Sequence, residues 1–560
     1  MEKIKRFLQA FTKNEKIFVP IILLIFSVLL CVPLYHGGYN IGHDSSYHLV
    51  SIAGLADSNE GKIFSGMWNN IGYGEGIFYP QLSHYVGVAV YKVVSIFGFS
   101  VLTAAKITNV LLLYCSGLTF YLFVRQVLGK KAMKGNIIAS LLYIGATYHM
   151  SCILIRDAMA ETALYVFIPI VALSLYYLVK QDYKKFLLSF VIGVAGCMNS
   201  HLVLTIWLVI FCVLFAIYKR KLFFTKKNIL YVVLGSVITL TLTCSYWAYM
   251  IICKGACDYF AFSDEMITNA FKLSHRELRL LFTPSVSADS IRFFLDLTAL
   301  LFCIIMAFFT KYIDKKYRGI VKFNLVLIAI IALLTAGIIP IEKWPHLLSA
   351  IQFAWRLVTY AVFLLAFSLA ICLYYMPQNN RKWLMLLLAA SIFTNAYSIE
   401  VYPMTFEHLR QASTINADYL PTKMLDHYRD GLKYSVDTRR LEIIPKEGKA
   451  VVKNARGDTP DFDFDLETES STKVSIPRVY YYGYEAIAEY SDGSVEKIAA
   501  DCDEYGFVAL EIPRSAHVAV RYTGGKALAL LRAISAGTAV GFFGGYLVSY
   551  ARKKHTKTQK

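Results

Sequence analysis

Long apolar runs separated by short polar stretches dominate the first 400 residues of the chain. Runs of about 17 to 25 residues are long enough to cross a bilayer as a helix. On that measure the sequence predicts spans near residues 17–35, 102–124, 135–150, 161–179, 186–200, 202–218, 229–252, 291–310, 320–340, 355–376, 382–398 and 527–550. The run 82–99 is interrupted by Lys92 and reads as a juxtamembrane or re-entrant helix. The stretch 186–218 reads as a hairpin turning at Met198-Asn199-Ser200-His201. From residue 400 to 525 the period changes to two, as in Phe462-Asp463-Phe464-Asp465-Leu466, with a turn at Ser491-Asp492-Gly493. Alternation bounded by turn residues predicts a small β-sandwich. The expected architecture is a polytopic α-helical membrane protein of about 12 spans over 1–398, with a first outer loop at 36–101. A β-sandwich over 399–525 follows, then a last transmembrane helix and a basic tail over 526–560.

Composition supports the membrane reading: 56% of residues are hydrophobic, 15% aromatic and only 17% charged. Mean hydropathy is +0.49, too apolar for a soluble domain. The formal charge of +18 would suit nucleic acid. However, the cations occur as short clusters between apolar runs: Lys130-Lys131-Lys134, Lys180-Lys184-Lys185, Lys219 to Lys227, Lys311 to Arg318, Arg381-Lys382 and Arg552-Lys553-Lys554. With the span assignments above, all of them fall on the cytoplasmic side, as the positive-inside rule requires, and so do both termini. Two of those assignments, the run 82–99 and the hairpin 186–218, were chosen with the help of this rule. The polar segments 36–101, Tyr148 to Glu161, Lys254 to Ser290 and Ile341 to Arg356, the hairpin tip and the β region then lie outside. Most of the 11 cysteines sit in apolar runs, where thiols behave as small hydrophobes. Cys253 and Cys257 have a spacing that permits pairing near a membrane face, but neither a disulfide framework nor a zinc pattern emerges.

The polar residues left over define the candidate chemistry. In Gly42-His43-Asp44-Ser45-Ser46-Tyr47-His48, an opening helix would put Asp44 and His48 on one face; a helix cap accounts for the Asp equally well. In Arg156-Asp157-Ala158-Met159-Ala160-Glu161, a guanidinium and two carboxylates fall within about one helical turn at the membrane surface, where an interfacial salt bridge is the simplest alternative. In Ile351-Gln352-Phe353-Ala354-Trp355-Arg356, Arg356 is either an interface anchor or a fork of donors for a phosphate oxygen. The run Gly72-Tyr73-Gly74-Glu75-Gly76-Ile77-Phe78-Tyr79-Pro80 lacks the GK[ST] ending of a phosphate loop and reads as a turn returning the chain to the membrane. His84, His149 and His201 have the positions to line a polar cavity, although each taken singly reads as an interfacial residue rather than a ligand.

In that order these pieces resemble the GT-C superfamily of membrane glycosyltransferases. The chain is most similar to the bacterial integral membrane family labelled pyruvoyl-tetrahydropterin-synthase-related. The resembling residues are Gly42-His43-Asp44 with His48, Gly72 through Tyr79-Pro80, Arg156 with Ala160-Glu161, Ser200-His201, Gln352-Phe353 with Trp355-Arg356, and Asp418-Tyr419-Leu420-Pro421. The sequence departs from that family at Ala354, where Pro is usual, and at Met67, where Arg is expected. The family label is no guide to activity, because the sequence has no clustered zinc-histidine set.

The resemblance implies transfer of a sugar from a polyprenyl-phosphate donor to an envelope polysaccharide, lipid or protein on the outer face of a bacterial cell membrane. Asp44 would be the general base. His48, Arg156, His201, Gln352, Arg356, Tyr79 and His84 would bind substrate. Asp157 and Glu161 would be ligands for Mg²⁺ or Mn²⁺, the ions that hard oxygen donors favour. No nucleotide cofactor and no nucleic-acid partner is expected. The competing functions are a transporter or flippase of lipid-linked glycan precursors, which calls for polar broken helices at the bilayer midplane, and a non-catalytic envelope scaffold.

Overall fold

The computed structural model describes residues 14–35, 42, 44–57, 63, 71–262, 279, 282, 294–338, 344, 348, 351–376, 418–427, 443–446, 450–457 and 460–558. The expected span at 382–398 and most of the loop 254–290 lie outside the described residues, as do His43 and Met67. The chain folds into two compact units that do not follow its order. One comprises residues 1–49, 82–232 and 267–406, the other residues 50–81, 233–266 and 407–560.

The first unit is helical. Its elements are α1 (Glu15–Leu30), the first turn of α2 (Ser45–Asp57), α3 (Leu82–Val94), α4 (Val101–Leu128), α5 (Met133–Gly145), α6 (Thr147–Leu154), α7 (Met159–Val179), α8 (Tyr183–Ser200) and α9 (Leu202–Tyr218). The first half of α10 (Lys226–Leu242) also belongs to it. Two more helices of this unit, here numbered α12 (Leu297–Phe309) and α13 (Lys315–Thr335), precede α14 (Val358–Tyr375). From Val358 to Leu373 every residue of α14 except Leu364 is buried. A helix apolar on all sides is stable only with neighbours all round it, and α14 packs on α13, α5 and α12. Close contact between α7 and α8 depends on small residues: a Cβ at Gly196 would fall inside the Phe167 ring, and one at Gly193 would come within 2.9 Å of Val171.

Among the described residues, the second unit combines the helix α11 (Cys244–Ala256), the helix α15 (Gly525–Thr558) and nine β-strands. The strands are β1 (Ile444–Pro445), β2 (Ala450–Arg456), β3 (Phe462–Thr468), β4 (Thr472–Val479), β5 (Tyr484–Tyr490), β6 (Val495–Ala499), β7 (Asp501–Cys502), β8 (Phe507–Ile512) and β9 (Ala516–Tyr522). They form two sheets, in the orders β1-β4-β8-β7 and β2-β3-β9-β5-β6, and every pairing is antiparallel. Phe462, Phe464 and Leu466 of β3 are buried and the intervening aspartates are not, which is the alternation expected of a sheet with one covered face. The predicted turn joins β5 to β6, with Gly493 at φ +78°.

The glycine-rich run 72–80 does more than return the chain. Ile71 O accepts from Val479 N at 2.9 Å, and Tyr246 Oη donates to Phe78 O at 3.0 Å. Gly74 lies so close to the Tyr481 ring that a Cβ would overlap it. This run is therefore a docking segment for the β region.

Among the described residues, five helices are long and apolar enough to cross a membrane: Val101–Leu128, Met159–Val179, Lys315–Thr335, Ala354–Tyr375 and Gly525–Arg552. The count reaches seven if the bent pairs α5 with α6 (44°) and α10 with α11 (66°) are single spans. The sequence predicts twelve. Leu202–Tyr218 and Leu297–Tyr312 are apolar but shorter. Large apolar side chains on α1, α9 and α15 are exposed, among them Leu24, Leu29, Val213, Ile217, Leu530 and Leu547. Faces of this kind are lipid-facing in a membrane protein and would be aggregation surfaces in water.

Candidate functional site

The site forms in the first unit where the chain passes from α6 to α7. Residues 155–158 are a tight connection rather than a helical turn, closed by Arg156 N to Ser151 O (2.9 Å) and Ala158 N to Cys152 O (2.7 Å). Asp157 has φ +51°, a left-handed conformation that Asp tolerates better than most residues at a modest cost. Its carboxylate is fixed by Asn109 of α4, whose Nδ2 donates to Oδ1 at 2.7 Å.

Gly42 and Asp44 dock on this connection. Asp44 N donates to Arg156 O at 2.8 Å. A Cβ on Gly42 would lie 2.6 Å from the Asp157 Cβ, so only glycine fits there. Ser45 Oγ accepts from Gly42 N at 2.8 Å, and His48 N donates to Asp44 O at 3.1 Å as α2 begins.

Arg156 and Glu161 form a buried ion pair, their side chains 5% and 1% exposed. Tyr148 Oη donates to Glu161 Oε1 at 2.7 Å, and Thr359 Oγ1 of α14 donates to the same oxygen at 3.2 Å. The second Arg156 nitrogen, Nη2, lies 3.9 Å from Asp44 Oδ2. Asp44 itself is 41% exposed. A guanidinium fixed on one side by a buried carboxylate therefore presents its other edge to a carboxylate that solvent can reach.

Arg356 lies at the start of α14. Its Nη1 donates to Ile351 O at 3.0 Å and to Gln352 Oε1 at 3.1 Å, and the guanidinium sits 5.0 Å from the Phe353 ring. Gln352 has φ +62°. Backbone held in the left-handed region costs energy and is concentrated at functional sites. His201 caps α9, its Nδ1 accepting from Leu204 N at 3.4 Å. Burial, followed by the positive charge of Arg356, pushes His201 down to about 3, so its ring is neutral at physiological pH. Glu161 and Arg156 also lie within electrostatic reach of it.

Asp44, Arg156, Glu161, His201, Gln352 and Arg356 thus belong to one unit. Within it, direct contacts join Asp44, Arg156 and Glu161 on one side and Gln352 with Arg356 on the other. His48 meets a different partner: its Nδ1 is 2.7 Å from His84 Nε2, and both rings are buried. Burial, then the charge of Arg156, pushes His48 down to about 3, so the pair joins neutral imidazoles, one donating and one accepting. His149 stacks on Tyr165 with ring centroids 3.6 Å apart and bonds to Tyr143 O at 2.9 Å. Tyr79 belongs to the other unit, where its N donates to Glu75 O at 2.8 Å.

Both carboxylates expected to hold a divalent cation have protein partners. Glu161 is engaged by Arg156, Tyr148 and Thr359, and Asp157 by Asn109. Among the described residues no group of three or more His, Cys, Asp or Glu side chains is disposed to hold a metal ion.

Sequence reasoning missed Tyr148, Thr359 and Asn109 as supports. The available signal was a polar side chain inside an apolar run, clearest for Asn109 in α4. It also missed a contact between thiols: Cys257 meets Cys502, Sγ to Sγ 3.8 Å, while Cys253, whose spacing permits pairing with Cys257, is buried in α11.

No family model matches the sequence, and no curated protein matches it. Among solved structures the chain is similar to two cryo-EM structures of the arabinofuranosyltransferase AftD from Mycobacteria. One shares 13% identity over 74% of this chain with a TM-score of 0.46. The other, of a mutant form, shares 12% over 68% with a TM-score of 0.43. This chain spans 28% and 27% of the length of those two chains.

Proposed function

We propose that this chain is a GT-C-type membrane glycosyltransferase that moves a sugar from a polyprenyl-phosphate donor to a hydroxyl acceptor of the cell envelope, on the outer face of a bacterial membrane. The observation that carries this reading is Asp44, a half-exposed carboxylate 3.9 Å from a guanidinium that a buried Glu161 and Tyr148 hold in place. A general base needs reach to the acceptor proton and a fixed position; the Asp44 to Arg156 backbone bond and the glycine contact at Gly42 supply the position.

In the proposed reaction Asp44 takes the proton of the acceptor hydroxyl as its oxygen attacks the anomeric carbon. The bond from that carbon to the phosphate oxygen breaks, and the polyprenyl phosphate leaves with the electron pair. Charge that grows on the leaving phosphate needs preorganised positive groups; Arg356 is the group with a donor fork suited to it, and Arg156 adds positive charge beside the base. An apolar cavity of about 300 Å³ in the same unit is lined by Ile168, Leu208, Phe211, Tyr360 and Phe363 among others. Tyr360 is one helical turn beyond Arg356, and Lys180, Lys219 and Lys316 also line the cavity, whose otherwise apolar walls suit an isoprenoid chain. The two antiparallel sheets of the second unit are read as the expected β-sandwich.

The test is Asp44→Asn in the purified protein, assayed with a panel of polyprenyl-phosphate sugars and with envelope extracts as acceptor. Transfer is expected to fall about 10²- to 10⁴-fold, the usual contribution of a general base, with membrane insertion and melting temperature unchanged. Undiminished transfer by the variant would remove Asp44 from the chemistry; absence of transfer by the parent protein across the panel would remove the enzyme reading.

A further inference from the structure

Away from the candidate site, the second unit contains a pair of thiols brought together from distant parts of the chain. Cys257 directly follows α11, and Cys502 ends β7, the edge strand of its sheet. Their Sγ atoms are 3.8 Å apart and 245 residues separate them in sequence. Both side chains are partly exposed.

The backbone around Cys257 is fixed by a short ladder with residues 418–422. Phe260 N donates to Leu420 O (3.1 Å), Ala261 N to Asp418 O (2.6 Å) and Thr422 N to Asp258 O (2.9 Å). Tyr259 stacks on Tyr481 with ring planes 2° apart. Cys502 is held by the pairing of β7 with β8. The contact between the sulfurs is therefore set by two ordered segments of one unit. An S–S bond of about 2.05 Å needs the sulfurs to close by roughly 1.8 Å.

We propose that Cys257 and Cys502 form an intramolecular disulfide that pins the segment after α11 to the edge of the β region. The donor set favours a defined order of events. The Cys257 thiol is held below the ordinary thiol range because it accepts the S–H of Cys502, a gain that outweighs its burial and is helped by the nearby Lys423 charge. Cys502 is pushed upward by that same bond and by burial. Since the thiolate is the nucleophile, Cys257 attacks one sulfur of a disulfide oxidant, either a glutathione-type disulfide or the active-site disulfide of an oxidoreductase. The oxidant's S–S bond breaks and one thiol leaves. Cys502 then gives its proton to water and attacks the Cys257 sulfur of the mixed disulfide, releasing the second thiol. Two electrons pass to the oxidant, and two cysteine thiols become one disulfide. Residues facing the pair include Asp258, Lys423, Tyr480, Asp501 and Asp503.

The bond fits the outer-face topology, since disulfides persist in oxidising compartments, but it does not require the glycosyltransferase reading. A cross-link closing a loop this long removes many conformations from the unfolded chain and raises stability.

The experiment uses the full-length protein purified in detergent. It is incubated with oxidised or reduced glutathione, quenched with N-ethylmaleimide and digested without reduction for peptide mass spectrometry. The parent protein is expected to yield a Cys257–Cys502 cross-linked peptide after oxidation, to lose that peptide in dithiothreitol and to melt a few degrees higher when oxidised. Cys257→Ser and Cys502→Ser should each abolish both the peptide and the redox-dependent shift. Full alkylation of both thiols in oxidised, cooperatively melting parent protein would overturn the proposal. So would a peptide joining Cys257 to Cys253. Both overturning results are read on the parent protein, so a variant that fails to fold does not blunt the test.

Discussion

Arg156 and Glu161 are the residues on which the candidate site depends, because each leaves a buried charge if the other is removed. The cost of an uncompensated buried ion is about 3–5 kcal/mol, while the net worth of an intact buried pair over apolar replacements is near zero. Glu161→Ala is therefore expected to lower the melting temperature of the detergent-solubilised protein sharply, and Arg156→Met added to it should recover most of the loss. A Glu161→Ala protein that melts like the parent would mean the pair is not buried as described. Asp44→Asn should behave oppositely, losing activity and not stability, because Asp44 is 41% exposed and its 3.9 Å contact is solvent-screened. The sequence made Arg156, Asp157 and Glu161 legible as a cluster, but through a helical spacing that does not exist there. Residues 155–158 form a tight loop, and the left-handed Asp157 turns its carboxylate to Asn109 while Arg156 meets Glu161. Periodicity cannot register a single left-handed residue, and it cannot name a partner 48 positions away.

Helices α7 and α8 carry the next scale of the design. Glu161 opens α7, and His201 follows the last residue of α8 while capping α9, so the spacing of α7 from α8 sets how far apart those side chains stand. That spacing is fixed by Gly196 against the Phe167 ring and by Gly193 against Val171. Gly196→Leu should force the helices apart, costing several degrees in melting temperature and reducing sugar transfer, whereas Gly544→Leu on α15, with open space around it, should do neither. Equal stability of the two variants would show that the close approach does not hold the helices. Elements of this kind were the most legible part of the chain. Apolar runs marked helix after helix, the hairpin tip at residues 198–201 was placed from charge, and alternation marked β3. The bends between α5 and α6 and between α10 and α11 were not legible, because an apolar run continues through each of them. Nor was the assignment of residues 50–81 and 233–266 to the unit that holds the strands, which depends on contacts between segments hundreds of residues apart.

At the scale of the whole molecule, the helices of the first unit sort charge by end. Glu161, His201 and Arg356 lie at or just before the starts of α7, α9 and α14. Lys180 and Lys219 follow the ends of α7 and α9, Lys184 and Lys185 open α8, and Lys315 and Lys316 open α13. A spanning helix of 21 residues such as α7 is about 31 Å long, so its two ends face different sides of the bilayer. Cationic loops are retained in the cytoplasm as a rule, and on the proposed topology the ends that carry Glu161, His201 and Arg356 are outside. The second unit makes the same statement independently: α15 begins three residues after β9 and runs into the basic tail, so if it spans, the strands and the tail lie on opposite faces. Single cysteines introduced into a cysteine-free version at Asn199, Glu467 and Lys221 provide the test, read in intact cells with a membrane-impermeant maleimide. Positions 199 and 467 are expected to label in intact cells, and 221 only after permeabilisation. Labelling of 221 together with 199 would mean that α9 does not cross the membrane, and the candidate site would then lose its outer-face assignment along with the polyprenyl-phosphate donor proposed for it.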